Sequence, residues 1–166
     1  MAEETETINV TIQPVKVTED EKIEFYKSFL SNKAYTGTEY LFDKQFNITF
    51  KSLTVKETMA VFDQLRKDQL SNYINTDSNY MMALTNYRLG IAIVTMNDED
   101  FQPDITKEDY KPANGDDSYI KARAEIFNDW PAFKLGALAE AFRTFEDKVV
   151  YLTKEIHTPD FWKAGQ

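Results

Sequence analysis

The fold is decided by residues 129–158, which read DWPAFKLGALAEAFRTFEDKVVYLTKEIHT. Asp129 as a cap and Pro131 in the first turn predict the start of a helix, and Pro159 predicts its end. Apolar side chains recur at steps of three and four residues, at Leu135, Leu138, Ala139, Phe142, Phe145, Val149, Leu152 and Ile156. This spacing predicts a long helix with one face in the core.

Two capping boxes predict helices further upstream. Thr18 with Glu21 starts a helix over 19–31, and Thr54 with Glu57 starts another. In the second helix, Val55, Met59, Phe62 and Leu65 follow at steps of four, three and three. Of these four residues, Phe62 and Leu65 are assigned to the core.

Two more helices follow. Residues 78–96 are apolar on most of a helical circumference, which predicts a central helix. Gly90 inside it costs about 1 kcal/mol relative to alanine, a cost that close approach of a neighbouring helix would offset. Ser118 starts the fourth helix, which carries Ile120, Ala124 and Phe127.

Residues 39–53 predict a β-hairpin. Phe46, Ile48 and Phe50 alternate with polar residues, so one face is apolar and the other wet. The turn is placed at Asp43 and Lys44.

The fold class is therefore mainly α, with about five helices and one small β-hairpin. We divide the chain into an N-terminal arm or strand (1–17), a helix-hairpin-helix lobe (18–96), an acidic loop (97–117), a C-terminal helical lobe (118–158) and an aromatic tail (159–166). The predicted core is Phe25, Phe29, Phe62, Leu65, Leu84, Ile91, Leu138, Phe142, Phe145 and Val149.

Composition excludes several classes of function. The 166 residues include 28 acidic and 19 basic side chains, for a net charge of −9, and such a charge disfavours nucleic-acid binding. The absence of cysteine excludes thiolate chemistry, and a single histidine, His157, excludes a His-rich metal centre. No apolar run approaches a membrane span and the acidic start is unlike a signal peptide, so we expect a soluble protein, intracellular or carried in a virion.

No motif organises catalysis. The acidic loop lacks the spacing of a calcium-binding EF-hand, and the glycines form no phosphate-binding loop. We expect no catalytic residue, no metal and no cofactor. The competing hypothesis is a carboxylate hydrolase that uses two or more of Asp98, Asp100, Asp104 and Asp116.

The segment LFDKQFNITFKSLTVKE, residues 41–57, resembles part of small assembly and structural proteins of tailed bacteriophages. These are tail assembly chaperones and baseplate or hub components, in which a short strand leads through a Leu-Thr pair into an acidic helix. The resemblance implies a mostly helical, non-enzymatic protein that acts through protein contacts. It also implies residence in the host cytoplasm during assembly, in the virion tail, or in both. A helical adaptor that regulates a cellular protein is the alternative.

The resemblance implies that the partners are other phage structural proteins, such as the tape-measure protein or baseplate subunits. The chain could also form a homo-oligomer. We expect it to bind neither nucleic acid nor a membrane. Candidate partner-binding residues are Ile8, Val10 and Ile12, as an addable strand, and Phe161 and Trp162, as aromatic anchors. Packing of both termini on their own domain is the alternative. With a net charge of −9, a basic or neutral partner is favoured.

Overall fold

A computed structural model describes residues 15–102 and 117–160 of the chain. Within them the chain forms five α-helices, one 3-10 turn (Ile126–Asp129) and four strands. The helices are α1 (Glu19–Leu30), α2 (Val55–Leu70), α3 (Asp77–Ala92), α4 (Asp117–Glu125) and α5 (Ala132–Glu155). The strands are β1 (Thr36–Leu41), β2 (Phe46–Lys51), β3 (Ile93–Met96) and β4 (Glu99–Asp100).

Both predicted capping boxes are present. The hydroxyl of Thr18 accepts from the Glu21 amide at 3.2 Å, and the Glu21 carboxylate accepts from the Thr18 amide at 2.7 Å. Thr54 and Glu57 repeat the arrangement at the start of α2. The predicted cap of the last helix is wrong: Asp129 ends the 3-10 turn, and Pro131 is the N-cap of α5 without a side-chain hydrogen bond.

The sheet is larger than the single predicted hairpin. Four antiparallel strands follow the order β1-β2-β3-β4, and α2 and α3 connect β2 to β3. The helix predicted over 78–96 ends at Ala92, since Ile93 and Thr95 pair with β2. Residues 97–100, predicted as the start of the acidic loop, form the β3–β4 turn and strand β4, and 103–116 lie outside the described residues.

Helix α5 covers one face of the sheet. The ring of Phe50 on β2 lies 5.3 Å from that of Phe142 and 5.7 Å from that of Phe145. Gly37 on β1 permits this approach, because a Cβ there would lie 3.1 Å from the Phe145 ring. On the opposite face, the hydroxyls of Thr38 and Thr49 are hydrogen-bonded at 2.9 Å, as expected for an antiparallel sheet with one wet face.

The buried apolar residues form two clusters. One lies between the sheet, α1 and α5, and the other between α2, α3 and α4. Each takes residues from both sides of the segment 97–117. As predicted, α4 approaches α3 closely at Gly90, where a Cβ would lie 3.3 Å from the Ala124 amide nitrogen.

Most of the predicted core is confirmed. Six of the ten residues are buried: Phe25, Leu65, Ile91, Leu138, Phe142 and Phe145. Leu84 and Val149 are half-buried against the two clusters. Phe29 and Phe62 were wrongly placed in the core, since they are 52% and 49% exposed.

Candidate protein-interaction surface

Helix α2 presents an apolar stripe to solvent, formed by Val55, Met59 and Phe62. Their spacing of four and three residues places them on one side of the helix. Their exposed fractions are 78%, 61% and 49%. We call these three residues the α2 stripe. Of the four periodic residues of α2, the sequence predicts Phe62 and Leu65 to lie in the core, and only Leu65 is buried.

The start of α2 is fixed to the sheet below the α2 stripe. Lys51 at the end of β2 donates to the Glu57 carboxylate, which also accepts from the Thr54 amide at 2.9 Å. Burial raises the pKa of Glu57, but the hydrogen bonds from Lys51 and Thr54 outweigh burial and hold that pKa below its usual value. Glu57 is therefore an anchoring carboxylate.

The opposite side of α2 buries a carboxylate, Asp68. Gln64 donates to it at 2.9 Å, the ammonium of Lys121 lies 3.0 Å away, and the Tyr87 hydroxyl donates to its second oxygen. Burial, and then the contact with Asp68, raises the pKa of Tyr87 above its usual range. These partners come from α2, α3 and α4, so this cluster joins three helices.

The Asp68 cluster explains why the α2 stripe faces outward. A buried carboxylate needs hydrogen bonds and a countercharge, and Asp68 finds them only with its side of α2 turned inward. Val61 and Leu65 share that side and are 1% exposed each. Val55, Met59 and Phe62 are consequently left on the outside.

Further exposed apolar side chains lie near the junction of α2 and α3. Leu70 and Tyr73 are 79% and 67% exposed, and Met81 and Met82 are 57% and 59% exposed. Single exposed apolar residues are ordinary, but a set of them indicates an interaction surface.

A cavity of about 570 Å³ lies between the start of α2, strand β3 and α4. Arg123 lines it and is 6% exposed. Its guanidinium donates to the carbonyls of Gly90 in the last turn of α3 and of Ile93, the first residue of β3, and to the Phe101 carbonyl at 2.9 Å. A fourth donor bond reaches the Tyr119 hydroxyl at 2.7 Å. With four of its five N–H groups engaged, Arg123 holds α4 against α3 and does not form an open anion site.

A half-buried charge cluster lies at α5. The ammonium of Lys148 donates to Glu21 on α1 at 2.9 Å and to Glu39 on β1 at 2.7 Å. Burial lowers the pKa of Lys148, but the two carboxylates outweigh burial and raise it. Burial raises the pKa of Glu39, whereas in Glu21 the hydrogen bonds from Thr18 and Lys148 overcome burial and lower the pKa. The cluster joins α1, β1 and α5.

Of the four carboxylates considered for a hydrolase, the structure describes Asp98 and Asp100. Both are exposed, and of these two only Asp100 lines the cavity; Asp104 and Asp116 lie outside the described residues. In the part of the chain that the structure describes, no three His, Asp or Glu side chains come close enough to hold a metal ion. No helix among these same residues is long and apolar enough to cross a membrane.

The residues proposed from sequence as partner-binding are not part of the α2 stripe. Ile8, Val10, Ile12, Phe161 and Trp162 all lie outside the described residues. Sequence reasoning missed the α2 stripe, because its spacing is that of a core-facing side. The available signal was the pair Gln64 and Asp68, which shares a helical side with Val61 and Leu65.

Comparison of the chain with protein-family models, with curated proteins and with solved structures found no match.

Proposed function

We propose that this chain is a non-enzymatic assembly or structural protein of a tailed bacteriophage, which acts by binding other proteins of the tail or baseplate. The exposed α2 stripe is the observation that supports this proposal most directly. The segment that resembles phage assembly proteins, residues 41–57, forms β2 and the first turn of α2. It therefore leads directly into the α2 stripe, whose first residue is Val55.

The chemistry of the α2 stripe suits protein binding. Phenylalanine and methionine offer a large apolar contact, and the methionine side chain adapts to irregular partner surfaces. Lys56, Asp63 and Arg66 on the same helix are exposed and supply a polar margin. An apolar centre with a polar rim is the usual composition of a protein interface.

The proposal is tested in cells that produce the phage encoding the chain. Tails, tail-assembly intermediates and whole particles are purified, and the amount of this chain in each is measured by quantitative mass spectrometry. We expect the native chain to purify with tail proteins. Its presence in mature particles would identify a retained subunit, and its restriction to intermediates would identify a chaperone. Absence from every fraction would contradict the phage assignment and favour the adaptor of a cellular protein.

A pair of variants then tests the α2 stripe itself. Met59→Glu with Phe62→Glu introduces two charges on the stripe, and Thr144→Glu with Thr153→Glu introduces the same charge at exposed positions of α5. We expect the first variant to reduce recovery with tail proteins at least about tenfold, because charge is excluded from interface centres. The control should bind like the native chain. Equal recovery of both variants would show that the stripe is not the binding surface.

A further inference from the structure

Strand β1 forms one edge of the sheet. Its six residues pair with β2 from Thr36 opposite Lys51 to Leu41 opposite Phe46. An edge strand of this length presents a row of unpaired backbone groups, which natural proteins usually cover.

The hydrogen-bond register identifies the unpaired groups. The Ser52 amide donates to the Tyr35 carbonyl, and the Asn97 amide donates to the Asn47 carbonyl. Because bonded pairs alternate in an antiparallel ladder, Gly37, Glu39 and Leu41 bond to β2. The N–H and C=O groups of Thr36, Thr38 and Tyr40 therefore point away from the sheet, and no backbone group of the described residues bonds to them.

We propose that residues 8–12 of the same chain form an additional strand on this edge of β1. Ile8, Val10 and Ile12 alternate with Asn9 and Thr11, and alternation of this kind is typical of a strand with one covered face and one wet face. The inference does not depend on the proposed phage function.

The two faces of the proposed strand match the two faces of the sheet. On the wet face, Thr38 and Thr49 lie side by side, so Asn9 and Thr11 would extend a row of polar side chains. On the covered face, Ile8, Val10 and Ile12 would extend the apolar layer that contains Phe50. Helix α1, next to β1, still exposes Phe29 and Leu30, at 52% and 59%.

The connection between residues 8–12 and helix α1 is long enough to reach the edge of β1. The Thr18 amide donates to Glu21, and Lys148 donates to both Glu21 and Glu39 of β1. Thr18 and β1 are therefore joined through two side chains. Residues 13–18, fully extended, span about 20 Å, which is enough to place Ile12 beside β1.

The same short connection selects the chain's own segment over that of a second copy. A short linker holds a segment near its binding edge at an effective concentration of about 1 mM. A second copy of the chain at about 10 μM competes against that value at a disadvantage of roughly 100-fold.

Amide hydrogen exchange of the full-length chain, measured by NMR, tests the proposal. We expect the amides of Thr36, Thr38 and Tyr40 to exchange about 100-fold more slowly than unprotected amides. The amides of Gly37, Glu39 and Leu41, which bond to β2, are internal controls for the fold. Unprotected outward amides beside protected controls would overturn the proposal.

Proline substitution identifies the segment that pairs with the edge of β1. In a strand on this edge, one of Val10 and Thr11 directs its N–H toward β1 and the other away from it, and proline is tolerated only at the outward position. We expect Val10→Pro or Thr11→Pro to remove the protection of Thr36, Thr38 and Tyr40, while Thr5→Pro leaves it intact. Protection that survives both substitutions overturns the proposal. So does protection that is lost on dilution together with a change from dimer to monomer mass, because a second copy is then the occupant.

Discussion

Helices α2 and α5 both carry apolar side chains at steps of three and four residues, yet they use them in opposite ways. In α5 the stripe faces the sheet, with Leu138, Phe145 and Leu152 at most 1% exposed. In α2 the stripe faces solvent. Periodicity therefore defines the sides of a helix, but it does not decide which side is buried.

The polar residues of the two helices decide which side of each helix is buried. Two of the ionisable groups of α5, Glu146 and Lys148, lie at the margin of the buried side, where they pair with Arg88 and with two glutamates. Those of α2 include Asp68, which is 2% exposed and has partners on α3 and α4. Turning the α2 stripe inward would turn Val61 and Leu65 outward and would separate Asp68 from these partners, so the paired carboxylate fixes the rotation of the helix.

The largest effect is expected on α5. Phe142→Ala removes a ring that is 5% exposed and lies 5.3 Å from the ring of Phe50. We expect it to lower the free energy of unfolding by about 3–5 kcal/mol, measured by urea denaturation. Phe133→Ala is the matched control, because Phe133 is on the same helix and 78% exposed. A loss below about 1 kcal/mol for Phe142→Ala would remove the contrast between the two helices.

The fold was predictable wherever one local signal acted alone. The capping boxes located the starts of α1 and α2, and the uninterrupted stripe located α5. The end of α3 was not predictable in this way, because Ile93 is apolar in a helix and in a strand alike, and pairing with Phe50 decides between them. Asn97 and Asp98, with φ of 49° and 64°, make the tight β3–β4 turn. This turn was not recognised in the sequence, because the two residues begin an acidic run that was interpreted as a loop.

The candidate surface was not predictable, because its exposure depends on contacts distant in sequence. Asp68 is held by Tyr87 and Lys121, which are 19 or more positions away. A sequence pattern does not reveal such partners. From the sequence alone, Asp68 is assigned to the solvated end of α2, and Phe62 of the α2 stripe is assigned to the core.

The second largest effect is expected at Asp68. Asp68→Asn removes the charge that Lys121 and Tyr87 face, and we expect a loss of about 2–3 kcal/mol in the free energy of unfolding. Asp63→Asn is the control, since Asp63 is exposed on the same helix and should change stability by less than about 0.5 kcal/mol. Equal effects of the two substitutions would mean that Asp68 does not set the rotation of α2.

A smaller, pH-dependent effect is expected on the α5 side. Tyr35 is 3% exposed and its ring stacks on Phe145 at 5.8 Å. Burial, and then the charges of Glu21, Glu39 and Glu24, raises its pKa from 10.0 to about 12. Between these values the unfolded chain binds fewer protons than the folded chain. The free energy of unfolding should therefore fall as pH rises, by about 1.4 kcal/mol per pH unit from this group.

Tyr35→Phe isolates that contribution. The variant has no phenol to ionise, so its stability should decline less steeply than that of the native chain between pH 10 and 12. Lys148, whose pKa is also raised, contributes a loss of the same sign above its ordinary value in both proteins. Urea denaturation at successive pH values measures the difference. Parallel curves for the two proteins would show that Tyr35 ionises equally in the folded and unfolded states.

The smallest effect on stability is expected at the α2 stripe, and its smallness is the informative result. Met59→Gln and Phe62→Gln replace side chains that are 61% and 49% exposed, so each should change the free energy of unfolding by less than about 0.5 kcal/mol. Leu65→Ala on the buried side of the same helix should cost about 2–4 kcal/mol. If Phe62→Gln were as costly as Leu65→Ala, Phe62 would be part of the core, as predicted from the sequence. If it costs nothing while recovery with tail proteins falls, the apolar character of the stripe serves binding and not folding.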